Sequence, residues 1–117
     1  MLLAYTDQGR GPVVVLLHGF PLDRSMWGAQ IEALSRRYRV IAPDLRGHGE
    51  SPAPDAVYTM EQMADDVVSL LDGLGETAPV VVAGLSMGGY VALALAMKHP
   101  GRLRGLMLVD TRAAADS

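Results

Sequence analysis

Ser86 lies within Gly84-Leu85-Ser86-Met87-Gly88, a G-x-S-x-G spacing that suits a nucleophilic hydroxyl. The apolar run Pro79-Val80-Val81-Val82-Ala83 precedes it, and Tyr90-Val91-Ala92-Leu93-Ala94-Leu95-Ala96-Met97 follows. The order is that of a buried strand, a glycine-flanked turn and a helix. Glycine at 84 and 88 lets strand and helix pass close together, and so sharp a turn strains the serine backbone. Ser86 would then stand at the positive N-terminal end of a helix, where unpaired N–H groups favour a developing negative charge. The chemistry that fits is attack on a carbonyl carbon with the resulting oxyanion held. Taken alone, the pentapeptide also fits an ordinary Gly/Ser turn.

His18-Gly19-Phe20-Pro21 directly follows the apolar run Val13–Leu17. A glycine there lets backbone N–H groups turn toward the space above a sheet. The N–H of Phe20 and that of Met87, just after the serine, would make a two-donor oxyanion hole. The plain alternative is a Gly-Pro turn. A third segment, Asp44-Leu45-Arg46-Gly47-His48-Gly49-Glu50-Ser51, follows a further apolar run.

These segments need elements to carry them. Met1 to Thr6 reads as a first strand, Val13–Leu17 as a strand buried on both faces, and Tyr38–Ala42 as a short strand closed by Pro43. Trp27, Ile31 and Leu34 recur at helical spacing, which predicts a helix over 25–36. Thr59 with Gln62 is a capping-box signature opening a second helix, with Met63, Val67, Leu70, Leu71 and Leu74 on one face and Gly73 and Gly75 at its end. Pro79–Ala83, the turn at Ser86 and a helix to Lys98 follow, then a strand over 106–110. Strands and helices alternate, which implies an α/β fold: a mostly parallel sheet with helices on both faces. Ligands of such folds bind beyond the carboxyl ends of the strands. His18-Gly19, Asp44, Ser86 and Asp110 each follow a strand and fall there.

The 117 residues are half hydrophobic, with 13 glycines and a net charge of −3, enough for one domain over 1–117. There is no basic footprint for nucleic acid and no polybasic patch for a membrane. Absence of cysteine excludes disulfides and thiolate metal sites. His18, His48 and His99 lack metal-site spacing, so neither metal nor cofactor is expected. No basic and apolar leader or membrane-length apolar run is visible, and the default location is cytoplasmic. A phosphate-binding loop is disfavoured: Gly84 to Tyr90 matches neither G-x-G-x-x-G nor G-x-x-x-x-G-K-[ST], and no lysine lies nearby.

Together His-Gly-Phe-Pro, the segment 44–51 and Gly-Leu-Ser-Met-Gly-Gly resemble the α/β-hydrolase superfamily. They are most similar to its small esterases, cofactor-free haloperoxidase-like enzymes and 3-oxoadipate enol-lactonase-like enzymes. The resemblance runs from the first strand through Asp110. It implies hydrolysis of a small-molecule ester or lactone through an acyl-enzyme on Ser86, with Phe20 and Met87 holding the oxyanion. It implies that the 44–51 loop, with Asp44 and Arg46, shapes the fold and pocket edge and is not catalytic machinery. His18, Gly19 and Trp27 are the substrate-pocket candidates, and Phe20, Met26 and Met87 could add apolar lining, although Trp27 at helical spacing also suits a core.

One departure is large. The family's triad runs serine, acid, histidine, yet after Ser86 there is only His99, and it precedes Asp110. Thirteen residues of helix at about 1.5 Å each put His99 roughly 19 Å from Ser86, far beyond proton-transfer reach. A cation at a helix C-terminus is the better reading of His99. Asp110 is a candidate acid, since some relatives carry it there and more carry it one strand later. The simplest account is an N-terminal half of the fold, lacking the base. The strand over 106–109 is apolar on both faces with nothing after it to cover its edge, and 91–97 is apolar all round. A partner is therefore expected, either a C-terminal fragment or a second copy. The alternative function is a non-catalytic half-domain serving binding or assembly.

Overall fold

A computed structural model describes residues 2–53 and 58–109. Five strands form one sheet in the order β1-β3-β2-β4-β5: β1 Tyr5–Gln8, β2 Val13–Leu17, β3 Arg39–Pro43, β4 Val80–Leu85 and β5 Leu103–Val109. β1 runs antiparallel to β3, and every other pairing is parallel. Helices α1 (Gly28–Leu34), α2 (Met60–Gly73) and α3 (Met87–Lys98) make the crossovers.

The period-two alternation of strand side chains sorts the core into two layers. Val13, Val15 and Leu17 of β2, Ile41 of β3 and Val80 and Val82 of β4 pack with Met63, Val67 and Leu71 of α2 and Val91 and Leu95 of α3. Val14, Leu16, Val40, Ala42 and Ala83 face the other way, onto Trp27 and Ile31. Because β2 and β4 are covered on both sides they must be apolar throughout, as the sequence has them. The expected α/β architecture is present. No helix among the described residues is long and apolar enough to cross a membrane.

Strands β3 and β4 are shifted by one or two residues from expectation, and three further differences are larger. The first strand is Tyr5–Gln8, not 1–6, and buried Leu3 precedes it as a core residue. The helix over 25–36 is split: a 3-10 turn over Arg24–Trp27 leads into α1. Asp23 causes the split, since its side chain accepts from Ser25 N and caps the tight turn. β5 starts at Leu103, earlier than 106, and continues to Val109 with a register irregularity opposite Val80 and Val81.

Among the described residues β5 is an edge strand. Leu106, Met107 and Val109 are 39%, 59% and 37% exposed. Met97 on α3 is 84% exposed, so the helix expected to be buried all round is open at its C-terminal end.

Candidate active site

β2 leads to β3 on one side of the sheet, and β4 leads to β5 on the other. The strand order therefore reverses between adjacent β2 and β4, and the crevice beyond their carboxyl ends is where open α/β sheets bind ligands. Leu17 is in register with Gly84. The loop leaving β2 and the turn leaving β4 consequently emerge side by side.

Ser86 occupies that turn with φ 52 and ψ −112, the single non-glycine residue at positive φ among those described. Such a conformation costs on the order of 1–3 kcal/mol and persists only where the surroundings enforce it. Several contacts do so. Ser86 N donates to Val109 O at 3.1 Å, and Ser86 O accepts from Tyr90 N at 3.2 Å as α3 begins. A Cβ built on Gly84 would lie 2.5 Å from Gly88 C, and one on Gly88 would lie 2.5 Å from His18 O. Both positions need the missing side chain for the turn to close. Ser86 itself is exposed.

Gly19 is the neighbour from the β2 loop. A Cβ there would be 3.1 Å from Leu85 O and 3.4 Å from Ser86 Cβ, so the loop backbone lies against the serine. Gly19 O accepts from Leu22 N at 2.9 Å, and the Phe20–Pro21 peptide is cis. Phe20 is 69% exposed, with its ring edge-on to His48. Met87 opens α3, where the first N–H groups have no acceptor within the helix. Ser86, Gly19, Phe20 and Met87 are thus gathered at one point of the sheet edge.

The other candidates fall elsewhere. His18 is fully buried, and Trp27 is 6% exposed and packs in the layer that α1 covers. His18 Nε2 accepts from Leu45 N at 2.9 Å and its Nδ1 lies 3.0 Å from Gly19 O. Burial, with the nearby His48 ring adding to it, holds its pKa below the usual imidazole value against the opposing pull of the Gly19 carbonyl, Asp44 and Asp23. His99 caps the C-terminus of α3, with Nε2 2.7 Å from Asp65 Oδ1. Lys98 and His99 together hold the Asp65 carboxyl below its ordinary range. Asp110 lies outside the described residues.

The 44–51 loop is wired for structure. The Asp44 carboxylate, 1% exposed, accepts from Arg24 N at 2.7 Å, from Arg24 Nη1, and from Glu50 N at 2.9 Å. Ser51 Oγ donates to Asp44 O and accepts from Ala4 N. Arg46 clasps Asp66 of α2 with two bonds of 2.8 Å, which raises the guanidinium pKa further. A cleft of about 690 Å³ lies beside this loop, lined by Thr6, Asp23, Arg24, Ser25 and Glu50, and does not reach Ser86. The bonds from Arg24 to Asp44 and from Leu45 to His18 carry no local sequence signal, because these partners lie 20 and 27 residues away.

Comparison with known proteins agrees with this arrangement. An esterase from Thermogutta terrifontis is 58% identical, with a TM-score of 0.96 over 98% of this chain and 42% of its own. An enol-lactonase from Burkholderia xenovorans is 42% identical, with a TM-score of 0.88 over 93% of this chain and 43% of its own. A cis-3-alkyl-4-alkyloxetan-2-one decarboxylase from Xanthomonas campestris is 36% identical over 95% of this chain and 40% of its own length. The chain therefore spans about two fifths of these relatives. A family model for the alpha/beta hydrolase fold matches residues 12–116. With the sheet order, the strained serine and the glycine-walled turn already in place, this chain belongs to the α/β-hydrolase fold family.

Proposed function

We propose that Ser86 is the nucleophile of a hydrolase acting on small-molecule carboxylic esters or lactones. The observation that carries this reading is the positive φ of Ser86 at the switch point of the sheet, with Gly19 packed against it. In the reaction, Ser86 Oγ bonds to the substrate carbonyl carbon and gives up its proton. The carbonyl π electrons move onto oxygen, where the N–H groups of Phe20 and Met87 receive the charge. Collapse expels the protonated alcohol, or opens the lactone, and leaves an acyl-serine that water then hydrolyses. The likeness to an esterase and to an enol-lactonase supports the substrate class.

Two of the three histidines are unsuited to accept that proton. His99 is tied to Asp65 at the far end of α3, and His18 has its Nε2 lone pair engaged by Leu45. The base, and with it the acid unless Asp110 serves, comes from outside this segment. It would be supplied by a C-terminal portion, or by a second copy, seated on the exposed edge of β5. A second reading, a non-catalytic half-domain for binding or assembly, is favoured by that same exposed edge.

Labelling with a fluorophosphonate and turnover of a short-chain p-nitrophenyl ester separate the two. Labelling and turnover abolished by Ser86→Ala support the hydrolase. Residual catalysis from oxyanion binding alone can reach about 10³–10⁴ over water, so a weak Ser86-dependent rate fits a site lacking its base. No Ser86-dependent reaction of either kind, with or without the matching C-terminal portion, refutes the hydrolase.

A further inference from the structure

Arg24, Arg39, Arg46, Lys98 and Arg102 each hold a carboxylate in an ion pair. Arg10, Arg36, Arg37 and Arg104 hold none among the described residues, and all of them are exposed. The first three of these unpaired cations meet at one end of the sheet. Gly9 and Gly11, on either side of Arg10, have φ of 92 and 121. A Cβ on Gly9 would lie 2.5 Å from Ser35 O, and one on Gly11 would lie 2.5 Å from Arg37 O. Gln8 Nε2 donates to Ser35 Oγ at 3.0 Å, and Arg39 N donates to Pro12 O at 3.0 Å. The loop carrying Arg10 is therefore clamped, backbone on backbone, to the loop carrying Arg36 and Arg37.

This pole lies where β2 and β3 begin, at Val13 and Arg39, the opposite end of the sheet from the Ser86 turn. Asp7 and Glu76 are already held by Arg39. Glu32, a turn before Arg36, pairs with no cation among the described residues. The chain as a whole carries −3, with 13 acidic residues against 10 basic ones, so a positive pole is a local departure from its composition. Like charges held side by side repel, and an acidic surface placed against them relieves that repulsion and is steered toward it.

We propose that Arg10, Arg36 and Arg37, with exposed Tyr38 beside them, dock a carboxylate-rich segment of a partner protein and leave the Ser86 end of the sheet open. The assignment is independent of the reading of Ser86. Arginine and tyrosine are enriched at protein interfaces, and a weakly hydrated guanidinium forks onto a carboxylate. None of the three arginines lines the cleft beside the 44–51 loop, so an extended surface is a better match than an enclosed small anion. A bilayer fits less well: it needs an apolar anchor besides charge, and exposed Leu2 lies at the other end of β1 from Arg10. Nucleic acid asks for a longer positive track.

The probe is a fluorescein-labelled oligoglutamate peptide, followed by anisotropy with the unsubstituted chain at low salt, and an oligoserine peptide is the control. Saturable binding is expected, lost as salt rises toward about 1 M, where the Debye length falls to about 3 Å. Arg10→Gln, Arg36→Gln and Arg37→Gln should each weaken it about two- to fivefold, the worth of an exposed ion pair, and the triple variant about tenfold or more. These side chains are exposed, so the variants should fold as the parent does. Arg104→Gln removes the same charge from β5 and should leave binding unchanged. Amide shifts in ¹⁵N spectra should be confined to residues 9–11 and 36–38. No binding, shifts centred elsewhere, or an equal loss in Arg104→Gln would overturn the proposal. Tighter binding to phosphatidylserine vesicles or duplex DNA than to the peptide would also overturn it, by assigning the pole to a lipid or nucleic-acid ligand.

Discussion

Replacing Gly88 with alanine sets two opposed effects against each other. In an open helix interior, Gly→Ala stabilises by about 1 kcal/mol. At position 88 the new Cβ would lie 2.5 Å from His18 O and 2.6 Å from Leu17 C, and closer still to Leu17 O. Ordinary contact begins near 3.4 Å, so α3 must withdraw from β2 by roughly 0.9 Å or more. The obstructing atoms are backbone, in a strand bonded to both β3 and β4, so no rotamer change relieves the clash. Overpacking of this kind costs about 1–3 kcal/mol. Withdrawal also opens a gap under Val91 and Leu95, and a gap of 0.5–1 Å forfeits about a quarter to a half of each contact there. The steric effect outweighs propensity, and we expect Gly88→Ala to lose about 3 kcal/mol, a large share of a typical stability of about 5–15 kcal/mol. The assay is urea unfolding followed by far-UV circular dichroism. Gly28→Ala is the control: Gly28 has φ −49 and ψ −48 and open space around its Cβ position, and should gain about 0.4–1 kcal/mol. A Gly88→Ala protein as stable as the parent, with Gly28→Ala behaving as expected, would refute the argument that the turn depends on helix and strand touching at 88.

Asp44→Ala removes an acceptor from three donors and leaves Arg24 facing a buried void; we expect a loss of about 3–5 kcal/mol in the same unfolding assay. Glu50→Ala breaks only the exposed end of that network, its carboxylate being 76% exposed, and should cost about 0–1 kcal/mol. The folded state keeps His18 neutral below its ordinary value of 6.5, so its contribution to stability is fully present above that pH and is lost as pH falls through the lower folded value. Urea midpoints should therefore drop between about pH 7.5 and about pH 5.5 in the parent, and His18→Asn should flatten that slope; an equal slope in both would assign the pH dependence to other groups.

Local patterns were enough for the central elements. Runs such as Val13–Leu17 and Val80–Ala83 are apolar because their strands are covered on both faces, and that reads directly. Thr59 and Gln62 form both bonds of their capping box, since the cap needs nothing beyond its own turn. Sequence reasoning failed where distant groups decide the outcome. Asp44 takes Arg24 N across 20 residues, and together with the Asp23 cap this stops the helix pattern from beginning at Ser25. At the start of β5, Arg104 and Gly105 interrupt the apolar signal, yet pairing with Val80 and Val81 carries the strand back to Leu103. His18 stands in a loop that leaves β2 beside the Ser86 turn, yet it is fully buried. Its side chain turns inward because Leu45 N–H, unreadable from the sequence around His18, needs an acceptor.

The two edges of the sheet differ in how open they are to a further strand. β1 is a four-residue edge, and its Asp7 binds Arg39 through two hydrogen bonds of 2.9 and 2.7 Å. That is a short, charged edge of the kind that resists further pairing. β5 is the opposite: seven residues long, with Leu106, Met107 and Val109 exposed and no charge after Arg104 within the strand. An edge so unprotected is suited to being covered, and the cover proposed above would sit there. It would not be remote from the chemistry, because Val109 O, at the end of β5, is the acceptor that holds Ser86 N. In the function proposed above, a segment seated on β5 would bring the base to Ser86 along the very strand whose last carbonyl already holds that residue's N–H.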